Sequence, residues 1–140
     1  MVNVSEVARQ GVPSVSGSSH RATFRRASRL LRHTDFERVY KQGKRHFASH
    51  LTVFYLRRIE GDGPRFGFTI GKIVGTAVER NRVKRRLREV VRLHCGEIAA
   101  PVDIVIHPKK SAIRAQFSEL EDEISRAFEV AERSIRESTR

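Results

Sequence analysis

A strand, a loop and a basic helix follow one another in residues 65–93, RFGFTIGKIVGTAVERNRVKRRLREVVRL. Every second residue of 65–70 is apolar, which predicts a strand with one buried face. Thr76 and Glu79 have the spacing of a capping box, so we expect a helix from there to about Leu93. The apolar residues of this helix fall on one stripe, which predicts that it packs against a core: Val83, Leu87, Val90 and Val91.

The predicted helix is strongly cationic. Seven of the fourteen residues 79–92 are Lys or Arg, and only Glu79 and Glu89 oppose them. At 100° per residue we place four cations opposite the apolar stripe and two at its edges: Lys84, Arg85, Arg88 and Arg92, then Arg80 and Arg86. Guanidinium groups contact phosphates through two parallel hydrogen bonds. The amide of Asn81 can reach a phosphate or a base, with an ordinary helix-surface residue as the alternative interpretation. The helix therefore predicts a nucleic-acid surface, with a solubilising face or a membrane-surface helix as alternatives.

The composition of the whole chain agrees with a polyanionic partner. Its 140 residues contain 28 Lys and Arg against 16 Asp and Glu, a net charge of +12. No apolar run approaches the roughly 18 residues that span a membrane, and residues 1–20 lack the order of a secretory signal. We expect a soluble, cytoplasmic protein. The single cysteine, Cys95, is interpreted as a buried thiol rather than a zinc ligand or a nucleophile.

Further elements are predicted before the quoted stretch. Thr34 and Glu37 form a second capping-box pattern, and the helix that it predicts ends at Gly43. Residues 51–57, LTVFYLR, alternate with β-branched and aromatic side chains and predict a strand. One further short strand is possible near His46.

The remaining strands and the last helix complete the fold prediction. We expect the strands at 51–57 and 65–70 to be antiparallel, joined by the turn GDGP. Residues 102–107, VDIVIH, are almost continuously apolar, which suits the centre of a sheet beside strand 65–70. Ser118 and Glu121 form a third capping-box pattern. The helix after it should bury Leu120, Ile124, Ala127, Phe128, Ala131 and Ile135.

This order predicts an α+β fold, a single-domain αββ(β)αβα sandwich in which helices pack on a small sheet. We assign residues 1–22 to a disordered extension and residues 23–137 to the domain. No HExxH motif, paired Cys and His ligands or GxxxxGK[ST] loop occurs in the sequence, so we predict no catalytic or metal-binding residue. His107 could act as a general base, although an ordinary histidine at the end of a strand is the simpler interpretation.

Aromatic residues form a second candidate site. Phe36 and Tyr40 belong to the first helix, and Phe54 and Tyr55 to the neighbouring strand. Alternation puts Phe54 and Tyr55 on opposite faces, so one set packs the core while the other is free to line a groove. Exposed aromatic rings beside cations stack on single-stranded nucleotides. The pattern alone does not say which set is exposed.

Three blocks of the sequence resemble the bacterial ribonuclease P protein subunit. They are RLLRHTDFERVYKQGKR at 29–45, RFGFTIGKIVGTAVERNRVKRRLRE at 65–89 and VDIVIHPKKSA at 102–112. The resemblance covers about residues 23–135 and leaves the N-terminal extension outside. Ile73 departs from the family pattern, because members often carry a second lysine there.

The resemblance implies a protein that assists a catalytic RNA. In this family the RNA subunit, with bound Mg²⁺, removes the 5′ leader of precursor tRNA, while the protein binds that RNA and the leader. For this chain we expect no metal bound by the protein alone and no obligate protein partner. It also implies a left-handed βαβ crossover, against the usual hand. The implied leader cleft comprises Phe36, Tyr40 and Tyr55. The implied RNA-binding helix comprises Arg80, Asn81, Arg82, Lys84, Arg85 and Arg88, and Lys72 is an additional RNA contact. From the residues alone, a ribosome- or DNA-associated binding module and a protein nuclease stay open as alternatives.

Overall fold

The computed structural model describes residues 29, 32–61 and 63–138. The extension that we predicted at residues 1–22 lies outside them. The described elements are α1 (His33–Gln42), β1 (Lys44–Phe47), β2 (Leu51–Arg57), β3 (Arg65–Phe68), α2 (Ala77–His94), β4 (Val102–Pro108) and α3 (Phe117–Ser138), with short 3-10 turns at Lys72–Val74, Cys95–Glu97 and Lys110–Ile113. The α+β fold is confirmed, and β1 is the short strand that we allowed near His46. In the described part of the chain no helix is both long and apolar enough to cross a membrane.

The four strands form one sheet in the order β1-β2-β4-β3. The central position of β4 is confirmed: it pairs antiparallel with β2 and parallel with β3. β2 and β3 run in opposite directions, as predicted, but they do not pair with each other, because β4 lies between them. β3 also ends at Phe68, two residues earlier than expected, although the Thr69 N–H still donates to the Ile106 carbonyl at 3.0 Å. The left hand of the β3–α2–β4 crossover stays a prediction.

The sheet buries a different core on each face. The larger core packs one face against α2 and α3, and it contains Leu51, Val53 and Tyr55 of β2. All the apolar stripe residues predicted for α2 and α3 are buried. The smaller core packs the other face against α1 and contains Phe36 and Val105, with Tyr40, Phe54 and Leu56 against it. Neighbouring residues of β2 therefore lie on opposite sides of the molecule.

The capping box that we predicted for the basic helix is present. The Glu79 N–H donates to Thr76 Oγ1 at 3.2 Å, and the Thr76 N–H donates to Glu79 Oε1 at 2.9 Å. Two of the otherwise unpaired N–H groups at this helix start are thus satisfied, which fixes where α2 begins.

The other two predicted capping boxes are wrong. The N-cap of α1 is Arg32, which makes no side-chain cap bond, so Thr34 lies inside the first turn. α3 begins at Phe117, and its first turn is closed by the Gln116 N–H, which donates to Glu119 Oε1 at 2.8 Å. In both cases the chain enters the helix one or two residues earlier than the pattern indicates. Sequence spacing identifies residues that are able to form a capping box, but whether they form it depends on the backbone geometry at the helix start.

Gly43 joins α1 closely to the sheet. A Cβ atom at this position would lie 2.5 Å from the Val39 carbonyl oxygen and 2.6 Å from that of Tyr55. Both oxygens belong to backbone, which cannot easily move aside. The absence of a side chain therefore allows the C-terminal end of α1 to lie directly against β2.

Candidate nucleic-acid interface

A cleft of about 490 Å³ lies between α1 and the sheet face that carries the smaller core. We call it the aromatic cleft. Its walls combine rings with a few polar groups from five segments: His33, Phe36, Glu37, Tyr40, Arg45, Phe47, Thr52, Phe54, Thr69 and His107.

Phe54 of β2 is at the centre of the ring contacts. The Tyr40 ring meets it edge-on, with centroids 4.8 Å apart and planes at 89°. The Arg45 guanidinium lies 5.6 Å from the centroid of the Phe54 ring, within the range of a cation–π contact. Phe47, at 67% exposure, presents its ring to solvent. Phe36, in contrast, is fully buried and supports the cleft from behind.

Tyr40 links α1 to the end of β3. Its hydroxyl forms a hydrogen bond with Thr69 Oγ1. Burial raises the pKa of Tyr40, although the bond to Thr69 works in the opposite direction. The phenol is therefore neutral at physiological pH, and the bond holds the ring in place beside Phe54.

Tyr55 does not lie in the cleft that the resemblance implied for it. It is 6% exposed and belongs to the larger core, on the sheet face opposite Phe36 and Tyr40. Phe54, its neighbour in β2, takes the expected place, because alternate side chains of a strand face opposite sides. We therefore replace Tyr55 by Phe54 in the candidate site.

Several residues of the cleft were missed at the sequence level. Arg45 and Phe47 belong to the short strand β1, and both point to the cleft because they alternate with His46. His107 was interpreted as an ordinary histidine at the end of a strand, with a general base as the alternative, and not as part of the cleft. The available signal was the period of two in each strand, but no pattern indicates which of the two faces meets α1.

The basic helix α2 exposes only part of its charge. Asn81, Arg82 and Arg85 are exposed, and within the described residues neither Arg82 nor Arg85 forms an ion pair. Arg80 is half-buried and donates from Nη1 to the Gly75 carbonyl at 3.3 Å. Arg88 is also half-buried, and burial, followed by the nearby Arg85 charge, lowers its pKa. The first half of the helix thus presents the available cations.

Lys84 is not on the outward side of α2, contrary to our prediction. Its side chain is buried, with the residue 6% exposed. The physical reason is the helical repeat: seven residues, nearly two full turns, separate Lys84 from the core residue Val91, so both lie on one side. Long aliphatic stems of lysine pack readily against apolar neighbours. Lys84 is therefore not available to RNA in this conformation.

Arg86 and Arg92 are occupied within the protein. Arg92 Nη2 lies 2.6 Å from Glu89 Oε2, and Nε lies 3.0 Å from Oε1, so the two charges neutralise each other. Arg86 donates to the carbonyls of Ala112, Ile113 and Ala115 and so holds the turn that precedes α3. We assign both residues to the scaffold.

Other cations gather around the start of α2. The capping bonds to Thr76 lower the pKa of Glu79, and the charges of Lys110 and Arg82 lower it further. Lys110 is thus close to this helix end, a neighbour that the sequence spacing does not reveal. Lys72 is exposed on the turn before the helix, and Ile73 beside it is 80% exposed. We call Lys72, Arg82, Arg85 and Lys110 the basic cluster.

The aromatic cleft and the basic cluster meet at the end of β3. Thr69 lines the cleft, and Lys72 follows three residues later in the chain. Three residues span at most about 11 Å. The aromatic rings and the cations therefore come close to each other where the chain passes from β3 to α2, as a ligand with both bases and phosphates requires.

The described residues contain no group of three or more His, Cys, Asp or Glu side chains arranged to hold a metal ion. Cys95 is half-buried rather than buried, and burial raises the pKa of its thiol. A high thiol pKa is the reverse of what a cysteine nucleophile needs.

Comparisons with known proteins agree on one family. The family model Ribonuclease P matches residues 24–132. The ribonuclease P protein component of Oleidesulfovibrio alaskensis is 44% identical over 87 residues, which are 61% of this chain and 69% of that protein. That of Finegoldia magna is 39% identical over 93 residues, covering 66% of this chain and 80% of that protein.

Two solved structures share the fold. The RNase P protein of Staphylococcus aureus superposes with a TM-score of 0.67 at 28% identity, over 74% of this chain and 94% of that one. The RNase P protein of Thermotoga maritima superposes with a TM-score of 0.65 at 28% identity, over 71% and 94% of the two chains.

Proposed function

Because this chain belongs to the ribonuclease P protein family, as the protein component of that tRNA-processing ribonuclease, we propose that its surface is divided between two RNAs. The aromatic cleft binds the single-stranded 5′ leader of precursor tRNA. The basic cluster, with the exposed first half of α2, binds the catalytic RNA subunit. The observation that carries this proposal is that the aromatic cleft lies close along the chain to exposed cations, of which Arg82 and Arg85 form no ion pair within the described residues.

The leader is the best ligand for the cleft because it is single-stranded. Unpaired bases expose their ring faces, and stacking on an aromatic side chain contributes about 1–3 kcal/mol per base. Phe54, Tyr40 and Phe47 supply such rings, with Phe36 behind them. Arg45 is placed to contact a phosphate between stacked bases, because its guanidinium already lies over Phe54.

The catalytic RNA is the proposed ligand of the basic helix. Arg82 and Arg85 are exposed, and their planar groups suit paired hydrogen bonds to phosphate oxygens. Asn81, Arg80, Arg88 and Lys72 adjoin them and add polar contacts. Lys84 is left out of the direct contacts because it is buried.

The protein thus contributes binding energy at a distance from the bond that is cleaved. Its cations reduce the repulsion between two polyanions, and contacts to the leader exist in the precursor but not in the mature product. Mg²⁺ is proposed to be bound mainly by the RNA subunit, as the resemblance to the ribonuclease P family implies. We also place the protein in the cytoplasm, where both RNAs would be bound.

Reconstitution is the direct test of this proposal. The protein is added to a bacterial ribonuclease P RNA at a Mg²⁺ concentration too low for the RNA alone, and 5′ processing of precursor tRNA is measured. We expect processing to be restored, and an unrelated protein of similar net charge should restore none. No gain over RNA alone would contradict the proposal. Cleavage by the protein in Mg²⁺ without the RNA would instead indicate a protein nuclease.

A further inference from the structure

Three polar side chains form a row across the floor of the aromatic cleft. Thr52 of β2 is paired with His107 of β4, and Phe47 of β1 is paired with Thr52 on its other side. Phe68 is paired with Ile106, so Thr69, the next residue, lies beside His107. The side chains of Phe47, Thr52, His107 and Thr69 line the cleft. We call Thr52, His107 and Thr69 the polar row.

His107 has hydrogen-bonding capacity that the described protein does not use. Its Nδ1 atom is buried and has no hydrogen-bond partner among the described residues. Buried polar atoms are rarely left in this state, because they lose water without gaining a replacement. Burial also lowers the pKa of His107, so its imidazole is neutral at pH 7 and has one donor and one acceptor.

The surroundings of His107 favour a base over a phosphate. Its ring lies 6.5 Å from the Phe54 ring, centroid to centroid, at an angle of 74°. A base stacked on the ring of Phe54 or Phe47 would have its polar edge near the row, because Phe47 is paired with Thr52 and the Phe54 ring lies beside His107. A neutral imidazole and a threonine hydroxyl offer donors and acceptors without charge, which matches a base edge, whereas Arg45 supplies the cation for a phosphate.

We propose that His107 is a specificity-determining residue, which hydrogen-bonds with Thr52 to the edge of one leader base and makes affinity depend on that base. This inference rests on the proposed function, because it requires the leader to lie in the cleft. Stacking alone is tolerant of sequence, since every base has a ring face. A site with buried hydrogen-bonding groups discriminates, because a mismatched base leaves those groups unpaired.

Thr69 has a different part in the row. Its hydroxyl is already bonded to Tyr40, so it holds the cleft wall rather than reading a base. Thr52 is only 9% exposed, and it is paired with His107 between β2 and β4. The two residues that hydrogen-bond to the base are therefore His107 and Thr52.

The experiment uses the holoenzyme assembled with a bacterial ribonuclease P RNA. Precursor tRNAs are made with each of the four bases at each leader position in turn, and their dissociation constants are measured. For the unchanged protein we expect the dissociation constants of the four bases to differ by at least five-fold at one leader position. His107→Leu should reduce that spread to within two-fold, while His107→Asn, which keeps a donor and an acceptor, should retain part of it.

The matched control is His46→Leu. His46 belongs to β1 but is paired with Val53, so it lies on the other face of the sheet. This substitution makes the same chemical change away from the cleft and should leave the spread intact. Thermal unfolding of each variant establishes that it is folded at the assay temperature.

The possible failures are distinguishable. The role of His107 is overturned if His107→Leu shows the same spread of dissociation constants as the original protein. It is also overturned if the original protein shows no spread but still binds the precursor more tightly than mature tRNA. Both results leave the cleft proposal standing. Equal affinity of the unchanged protein for precursor and mature tRNA overturns the cleft proposal and this inference with it.

Discussion

Arg65 of β3 and Asp103 of β4 form a two-pronged ion pair, with Nε 2.8 Å from Oδ1 and Nη2 2.9 Å from Oδ2. Asp103 is fully buried, and it also accepts a bond from Arg58 at 3.0 Å. Arg65 Nη2 lies 3.7 Å from a carboxylate oxygen of Asp35 in α1. The pair therefore connects the helix that forms one wall of the cleft with the sheet that forms the other.

Removal of the Asp103 carboxylate should strongly destabilise the protein. Asp103→Ala leaves Arg58 and Arg65 without their shared buried partner, and breaking such a pair costs about 3–5 kcal/mol. The free energy of unfolding from urea denaturation measures the effect. Asp122→Ala, which changes an exposed carboxylate on α3, is the matched control and should stay within about 0.5 kcal/mol. If Asp103→Ala lowers the free energy of unfolding by less than about 1 kcal/mol, the ion pair does not contribute strongly to the stability of the fold.

Phe54 should contribute to the binding of precursor tRNA in particular. Phe54→Ala removes the central ring of the cleft, so we expect affinity for the precursor to fall by about 1–3 kcal/mol for one lost stacked base. Binding of mature tRNA, which has no leader, should change little. Equilibrium binding of both RNAs to the reconstituted enzyme gives the comparison.

Tyr55→Phe is the control for that experiment. It alters the neighbouring aromatic residue on the opposite face of β2, inside the larger core. Both affinities should be unaffected. Equal losses for precursor and mature tRNA in Phe54→Ala would remove the basis for placing the leader in the cleft.

The exposed arginines of α2 should determine the salt dependence of binding to the catalytic RNA. Arg82→Ala combined with Arg85→Ala removes two exposed cations that form no ion pair within the described chain. The slope of log affinity against log salt should flatten by about 1.4–1.8, at about 0.7–0.9 per phosphate contact. Arg92→Ala, in which the lost charge was already paired with Glu89, should change the slope much less. If the double variant and Arg92→Ala flatten the slope equally, exposure of an arginine on α2 does not determine whether it contacts a phosphate.

His94 should make stability depend on pH. Burial opposes its protonation, but the carboxylates of Glu121 at 2.9 Å and Glu97 at 2.5 Å outweigh burial and raise the pKa of His94 above its usual 6.5. A raised folded-state pKa gives a stabilisation that is complete below the unfolded pKa and is lost as pH rises through the folded value.

The difference in Tm between the unchanged protein and His94→Gln should therefore be largest at about pH 6 and shrink toward about pH 9. Thermal unfolding across this range measures it. A difference that grows with pH would show that the neutral ring is the stabilising form. The predicted sign depends on His94 linking the end of α2 to α3 through Glu121.

The sequence predicted well those features that depend on neighbours along the chain. The capping box of Thr76 and Glu79 and the buried stripes of α2 and α3 follow from spacing within one helix. β4 could be placed at the sheet centre because nearly all its residues are apolar, so both of its faces had to be covered. Lys84 shows the limit of this reasoning. We predicted it on the side of α2 opposite the apolar stripe, although it lies on the same side as Val91, which belongs to that stripe.

What the sequence determined by itself is the set of elements and the cationic character of α2, since periodicity and charge are local properties. The tertiary structure alone decided that Phe54 rather than Tyr55 faces α1, that β4 separates β2 from β3, and that Arg86 and Arg92 are occupied within the protein. A strand with a period of two has two faces that are equivalent until something packs on one of them. That choice is made by contacts between residues far apart in the chain, and here it determines which aromatic ring and which histidine form the floor of the cleft.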